Sequence, residues 1–235
     1  MKVKTKILAA IVLFCICGNK SFAQDKNTVS FAAADANAKS DADIESKASQ
    51  WASALRLGDG AKEEKVKVAI SRHLKAVRDW HNDHSASLVP AGINPATGNR
   101  LSEIDRDIIA NSAIPRSVHD SLMGVLKREL SPEQVESVLD KYTIGKVDFT
   151  LKGYHAIVPD LKPEEEAQIL VYLKEAREQA IDFKNMKEIS AIFEIYKTKC
   201  EQYLNSNGRN WHQLFKTYVD AARARKASEK QKQTN

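Results

Sequence analysis

Apolar residues recur at helical spacing through most of the sequence after Asp41, and this pattern limits the fold more than any other feature. The segments with the clearest period are residues 41–57, 61–84, 163–183 and 186–206. Side chains three and four positions apart share one face of an α-helix, whereas a half-buried strand alternates with a period of two. No strand-rich region and no glycine-rich phosphate loop interrupts the pattern. The sequence therefore predicts an all-α protein, a single compact multi-helix domain of about six to eight helices.

Residues typical of helix ends define several boundaries. Ser131 precedes Pro132, and this order suits an N-cap serine followed by proline at the first helical position. Asn207-Gly208 is a typical helix end. The remaining predicted helices cover residues 102–112, 115–129, 132–142 and a last segment from Trp211. Residues 85–101 contain two prolines and two glycines and are predicted as a loop, and residues 143–160 show no clear helical period.

The first 23 residues have the pattern of a secretory signal peptide. A basic stretch, MKVKTK, precedes the 11-residue apolar run ILAAIVLFCIC, and Ser21-Phe22-Ala23 provides small residues for cleavage. The run is too short for a bilayer, which needs about 20 residues. We therefore predict cleavage after about Ala23 and an exported protein, periplasmic or secreted, whose mature form has no membrane span. Lipidation at Cys15 or Cys17 is the alternative, although Phe14 and Ile16 precede them in place of the usual small residue.

Loss of the signal peptide changes the charge that a partner would meet. The whole chain carries +5, and the first 23 residues include four lysines and no acid, so +5 less four gives +1. A nearly neutral protein gives no support for a nucleic-acid partner. Only Cys200 remains after cleavage, which excludes an internal disulfide, so stability must come from a packed core.

Two polar segments flank the predicted helical domain, which we place at residues 41–220. Residues 24–40 are small and polar with little to bury, and we predict a disordered leader there. Residues 221–235 are rich in basic and polar side chains and are predicted to form a solvated tail.

Several segments occur in an order that resembles the family known as domain of unknown function 3826. The similar segments are Leu130–Tyr142, Thr143-Ile144-Gly145, Lys152-Gly153-Tyr154, residues 176–182 (AREQAID), and Ile192–Lys197 followed by Tyr203-Leu204 and Gly208. The resemblance covers residues 45–215 and is strongest from 120 to 210. The family consists of exported helical proteins of glycan-degrading bacteria and is regarded as sugar-binding, without an established mechanism. The resemblance therefore implies export, a helical fold and a carbohydrate partner.

This chain departs from the family pattern at two places. The family usually has Met-Thr-Tyr-Gly where this chain has Tyr142-Thr143-Ile144-Gly145. It usually has Lys-Gly-Arg-Ile-Asn-Asn-Tyr-Leu where residues 197–204 read KTKCEQYL. Any ligand contact that relatives make through these polar groups would therefore differ here.

The predicted helix 163–183 carries charged residues on both of its faces. Arg177 falls on the apolar face, where an arginine must be paired or must extend to solvent. It either lines a ligand pocket or forms a structural ion pair with an acid such as Asp140 or Glu201, and we favour the ion pair. Glu175, Glu178 and Asp182 form a stripe on the opposite side. This stripe suits either the carboxylates of a glycoside hydrolase or a solvated helix face, and we favour the solvated face.

The predicted helix 186–206 places Tyr196 and Tyr203 on one face, with Cys200 between them as a small buried apolar residue. Tyrosines can stack on sugars and bind them by hydrogen bonds, although core residues with a polar tip are the favoured interpretation. The residues proposed to bind ligand are Tyr154, Arg177, Tyr196, Lys197 and Tyr203.

Histidines of the predicted helix 61–84 are the nearest approach to a metal site. His81 and His84 are three residues apart and share a face, whereas His73 and His84 are separated by about 16 Å along the axis. Zinc needs three or four ligands, and no second cluster of matching spacing follows. The sequence therefore predicts no metal, no cofactor and no catalytic residue, and carries no indication of oligomeric state.

Three functions remain open at the level of sequence. The first is a non-catalytic exported protein that binds carbohydrate or is accessory to glycan utilisation. The second is a periplasmic chaperone-like helper, because Leu130–Gln134 resembles helix starts of small helical stress chaperones. The third is a glycan-active enzyme, which we rank last.

Overall fold

The computed structural model describes residues 26–95 and 97–234, and these residues are helical without any strand of a sheet. The helices are α1 (Lys26–Ser53), α2 (Gly60–Asp83), α3 (Glu103–Ser112), α4 (Arg116–Glu129), α5 (Pro132–Thr143), α6 (Lys146–Ile157), α7 (Pro163–Ala180), α8 (Met186–Ser206) and α9 (Trp211–Thr234). The prediction of an all-α fold is confirmed, with nine α-helices in the described chain where we expected six to eight. The predicted signal peptide, residues 1–23, lies outside the described residues.

Local capping interactions place several helices where the sequence predicted them. The Ser102 and Ser131 side chains each accept a hydrogen bond from the backbone three residues later, and each forms a reciprocal capping box. Asn185 caps α8, whose bounds agree with the predicted 186–206. Such bonds satisfy amide groups that have no partner inside the helix, so the caps specify these starts.

The most informative difference is α6, which lies within the stretch predicted to lack helical period. Ile144 and Gly145 both adopt left-handed backbone angles, with φ of 54° and 65°, and separate α5 from α6. The sequence of α6 includes β-branched residues and Gly153, which weaken intrinsic helix propensity. Val147 and Tyr154 are nevertheless buried in a core shared with α7 and α8. Packing therefore stabilises a helix that local sequence alone does not specify.

Both flanking segments belong to helices in the described chain. Residues 26–40 belong to α1, and their alanine content explains why a polar segment can be helical. Residues 221–234 continue α9, and their described side chains are exposed to solvent. The chain divides at Ser40 into two compact units, and all contacts discussed below lie in the unit that begins at Asp41. No helix in the described ranges is long and apolar enough to cross a membrane.

Two clusters of buried side chains form the core of the unit from Asp41. The first joins α1, α2, α4 and α5, and includes Ile70, Leu126 and Tyr142. The second joins α6, α7 and α8, and includes Leu173 and Cys200. Cys200 is fully buried, and burial raises the pKa of its thiol to about 11, so it is an inert core residue as the sequence predicted.

Candidate functional site

A groove of about 780 Å³ lies between α6, α8 and α9. Aromatic side chains of all three helices line it, and charged or hydroxyl groups stand beside them. The aromatic lining consists of Phe149, Tyr154, Phe193, Trp211, Phe215 and Tyr218. The polar lining includes Lys146, Thr150, Lys152, Glu194, Lys197 and Glu201. We call this surface the aromatic groove.

Helical spacing on α9 arranges part of the aromatic lining as a continuous wall. Trp211 and Phe215 are four residues apart, so their rings stack with centroids 6.1 Å apart. On the inner side Trp211 contacts Tyr154, with ring centroids 5.3 Å apart. At the rim Phe215 is 47% exposed and Phe149 is 77% exposed. The groove thus offers apolar ring faces to solvent, a feature typical of binding surfaces.

Hydrogen bonds and burial determine the interactions and the pKa shifts of the polar groups in the groove. The buried Tyr154 hydroxyl donates a hydrogen bond to the Lys197 carbonyl at 3.3 Å, and burial raises the Tyr154 pKa far above its ordinary value. The Lys197 ammonium donates to both carboxylate oxygens of Glu194 at 2.9 Å. Burial also raises the pKa of the Glu201 carboxyl, and the Lys197 charge opposes this rise. The groove therefore contains a neutral hydroxyl, an ion pair and a half-buried acid.

Contacts of Arg209 hold the turn between α8 and α9 in place. Its guanidinium donates to both carboxylate oxygens of Glu165, with distances from 2.7 to 3.0 Å, and to the Asp160 carboxylate at 2.9 Å. It also donates to the Asp160 carbonyl at 2.8 Å. Glu165 lies in the first turn of α7 and is buried. A bidentate arginine–carboxylate pair has defined geometry, so Arg209 sets where Trp211 enters the groove.

The structure brings Tyr154 and Lys197 together but separates the other residues proposed to bind ligand. Tyr203 lies outside the groove, edge-on to Tyr172 at 6.4 Å. Tyr196 faces a different cavity, and the Lys199 ammonium covers its ring at 4.0 Å from the centroid. The five residues therefore do not form one site.

Arg177 is 2% exposed and is paired in the way that the structural interpretation predicted. It donates to Asp140 at 2.6 Å, and its other terminal nitrogen lies 2.7 Å from Glu136. Both acids belong to α5, so Asp140 is a partner as expected, whereas Glu136 takes the place proposed for Glu201. The arrangement favours a structural role for Arg177.

Sequence reasoning missed Phe149, Phe215 and Tyr218 as groove residues. Trp211, Phe215 and Tyr218 occur at positions i, i+4 and i+7, which is one face of a helix. This pattern is present in the sequence, and the segment is predicted as a helix, but its aromatic face was not assigned to a binding site. Phe149 carried no comparable pattern because α6 itself was not predicted.

A second cavity of about 520 Å³ contains the acidic stripe of α7. Its lining consists of Asn111, Ser112, Ile114, Pro115, Arg116, His119, Glu175, Glu178, Gln179, Asp182, Phe183 and Tyr196. We call it the polar cleft. The prediction of a solvated stripe is wrong for Asp182. The helix α7 ends at Ala180, and the Asp182 side chain turns inward. There it lies 2.9 Å from both His73 and His119, and this pairing lowers its pKa against the opposing effect of burial.

His81 of α2 and His84, which directly follows this helix, each have a structural partner. His84 stacks on Trp80 with centroids 3.6 Å apart and bonds to the Trp80 carbonyl through Nδ1 at 2.9 Å. His81 lies near the Asn111 amide at 3.2 Å. Among the described residues, no three or more His, Cys, Asp or Glu side chains are grouped so that they could hold a metal ion.

Comparison with known families gives one match. A family model described as "Protein of unknown function (DUF3826)" matches residues 41–224, which is most of the chain. The matched region contains α2 to α8 and the first half of α9, and thus both the aromatic groove and the polar cleft. No curated protein matches the chain.

Proposed function

This chain belongs to the DUF3826 family, and from that premise we propose that it is an exported, non-catalytic protein that binds carbohydrate through the aromatic groove. The observation that carries the proposal is the set of exposed aromatic faces next to polar groups of the groove. Export rests on the N-terminal sequence, MKVKTK followed by an apolar run and Ser21-Phe22-Ala23.

The chemistry of the groove suits a sugar. One face of a pyranose ring presents C–H groups that pack on an aromatic ring, while its hydroxyls need hydrogen-bond partners. Trp211 and Phe215 offer the ring faces, and Glu201 and the Lys197–Glu194 pair offer donors and acceptors. Pockets of this kind combine apolar walls with a few fixed polar groups.

The pairing of the acids supports binding over hydrolysis. Glu194 and Glu201 of α8 are the two carboxylates in the groove lining. Glycosidases use two carboxyl groups that act on one bond between them. Lys197 already binds both oxygens of Glu194. The groove therefore has no free pair of carboxylates suited to this reaction among its described residues.

Thermal shift and calorimetry with plant and host glycan fragments test the proposal on the chain without residues 1–23. A bound glycan should raise the melting temperature, because ligand binding to the folded state adds RT ln(1 + [L]/Kd) to its stability. Phe215→Ala should weaken binding by about three- to tenfold, since a ring contact contributes roughly 0.5–1.5 kcal/mol.

Ile195→Ala is the matched control, because Ile195 is an exposed apolar residue of α8 outside the groove lining. It should leave affinity unchanged. The proposal fails if no glycan in the panel stabilises the protein, or if Phe215→Ala binds a stabilising glycan as well as the unaltered chain does.

A chaperone-like helper is the second candidate, and an apolar groove between α2 and α4 favours it. This groove has a volume of about 680 Å³, and its lining includes Val68, Ala69, Val118 and Val125. A helper of this kind would suppress aggregation of unrelated unfolded proteins without any response to glycans. Val68→Asp, which places a charge at a 41% exposed position, would then abolish the suppression.

A further inference from the structure

Asp182 fixes the protonation pattern of the two histidines beside the polar cleft. His73 is 2% exposed, and its Nε2–H donates to Asp182 at 2.9 Å. Its Nδ1 has no hydrogen-bond partner among the described residues, so a second proton there would be a buried unpaired donor. His119 donates its Nδ1–H to the other Asp182 oxygen at 2.9 Å, which leaves its Nε2 to face Glu178 at 3.6 Å.

Asn111 lines the same cleft and carries an acceptor that has no partner among the described residues. The residue is 3% exposed and lines the cavity, and its Nδ2 donates to the buried Glu188 at 2.7 Å. Its Oδ1, on the other branch of the amide, is buried without a hydrogen-bond partner in the described part of the chain. A buried polar atom without a partner is costly and uncommon in folded proteins. A ligand donor would satisfy it.

The charges of the cleft also favour a ligand that donates hydrogen bonds. Glu175, Glu178 and Asp182 are carboxylates, whereas Arg116 is a cation at the rim, 88% exposed and 3.6 Å from Asp120. When His119 is neutral, the unused groups are acceptors: carboxylate oxygens, the His119 Nε2 and the Asn111 Oδ1. An ammonium group offers three donors and a positive charge, and so complements them.

We propose that the polar cleft binds a small ligand through a primary ammonium group, with Glu178, Asn111 and His119 as its partners. A cavity of about 520 Å³ is within the range that small-molecule sites occupy. The site is separate from the aromatic groove, so it does not depend on carbohydrate binding there.

Proton and ligand must compete at His119, because both bring a positive charge to the same acceptors. The groups around its ring are Asp182 and Glu178 from α7 and the turn after it, and Arg116 from its own helix. Tyr196 of α8 lines the same cleft, and His73 of α2 acts on it through Asp182. Ammonium binding should weaken as pH falls and His119 gains a proton. By linkage, a bound ammonium group should lower the pKa of His119.

An NMR titration of the histidine side chains in the full chain tests this site, with 1,4-diaminobutane as the probe at constant ionic strength. The neutral isostere 1,4-butanediol is the ligand control. We expect saturable shifts of the His119 imidazole signals with the diamine only, and a lower titration midpoint for His119 at saturation. Absence of the signals in His119→Gln assigns them.

Glu178→Gln removes one cleft charge from a side chain that is about half exposed, and should weaken diamine binding roughly three- to fivefold. Glu164→Gln, an exposed glutamate in the first turn of α7, is the matched control and should have no effect. Equal shifts with the diol, an unchanged His119 midpoint, or equal binding by the two variants would each overturn the proposal. Phe215→Ala should leave diamine binding intact, which separates this result from the test of the aromatic groove.

Discussion

At the scale of single residues, the buried charges of this protein are placed by their partners. Arg177 occupies an apolar face of α7 because two carboxylates of α5 neutralise its guanidinium. Glu136 and Asp140 remain partly exposed, so they bring the ion pair to the edge of the core. The guanidinium is therefore buried without a full loss of solvent contact for the pair. This arrangement explains how a charged residue fits among Leu173 and its apolar neighbours.

We expect Arg177→Ala to lower the free energy of unfolding by about 2–4 kcal/mol, through lost packing and two unpaired acids. Lys174→Ala is the control, because the Lys174–Glu136 contact is exposed and should contribute under about 1 kcal/mol. Urea denaturation of both variants measures the difference. Equal and small losses for the two would show that the Arg177 pair does not support the core.

At the scale of elements, the position of α9 depends on contacts made at its start. Arg209 links the turn before α9 to Glu165 in the first turn of α7 and to Asp160 just before it. Trp211 then packs on Tyr154 of α6. Beyond these contacts, the C-terminal half of α9 carries mostly exposed side chains. Arg209 and Trp211 thus connect the start of α9 to the core, whereas its C-terminal half is exposed.

Arg209→Ala should cost about 3 kcal/mol of stability, because it leaves the buried Glu165 carboxylate without its guanidinium partner. Amide hydrogen exchange in α9 should also become faster than in α8. Arg223→Ala, a change at an exposed site on the same helix, is the control and should alter stability by less than about 0.5 kcal/mol. Unchanged exchange in α9 after Arg209→Ala would contradict this role.

At the scale of the whole molecule, Asp182 connects elements that belong to different core clusters. It follows α7, and it binds His73 of α2 and His119 of α4. The hydrogen bond with Asp182 raises the pKa of His119, and the two histidines lower the pKa of Asp182 although burial opposes them. Stability should therefore depend on pH through this cluster.

The direction of the pH effect follows from the two shifts. The lowered pKa of Asp182 means that its contribution is present above its unfolded value near 3.8 and is lost as pH falls through the folded pKa. The raised pKa of His119 means that its contribution is complete below its unfolded value near 6.5 and is lost as pH rises through the folded pKa. The cluster should stabilise most between these unfolded values.

Unfolding free energies measured from pH 3 to pH 9 test this expectation, with Asp182→Asn for comparison. The difference between the unaltered chain and Asp182→Asn should be largest between about pH 4 and pH 6.5 and should shrink on both sides. A difference that is constant across this range would show that the cluster does not titrate as the geometry implies.

The helical segments could be predicted from the amino-acid sequence wherever the information is local. Both ends of α8 and the serine caps of α3 and α5 follow from residues within a few positions of each other. The burial of Cys200 and the pairing of Arg177 with an acid of another helix also followed from helical periodicity. These features depend on the 3.6-residue period of the helix and on the capping of its end groups. Both can be recognised from residues that are close together in the sequence.

Which helix faces and which charges contact each other depends on the tertiary structure. His119 and His73 lie 63 and 109 residues from Asp182 along the chain, and no local pattern relates them. The helix α6 and the aromatic groove likewise depend on packing between segments distant in sequence. Helix formation is largely a local property, whereas the partner of a buried polar or aromatic group is fixed only when the core closes around it.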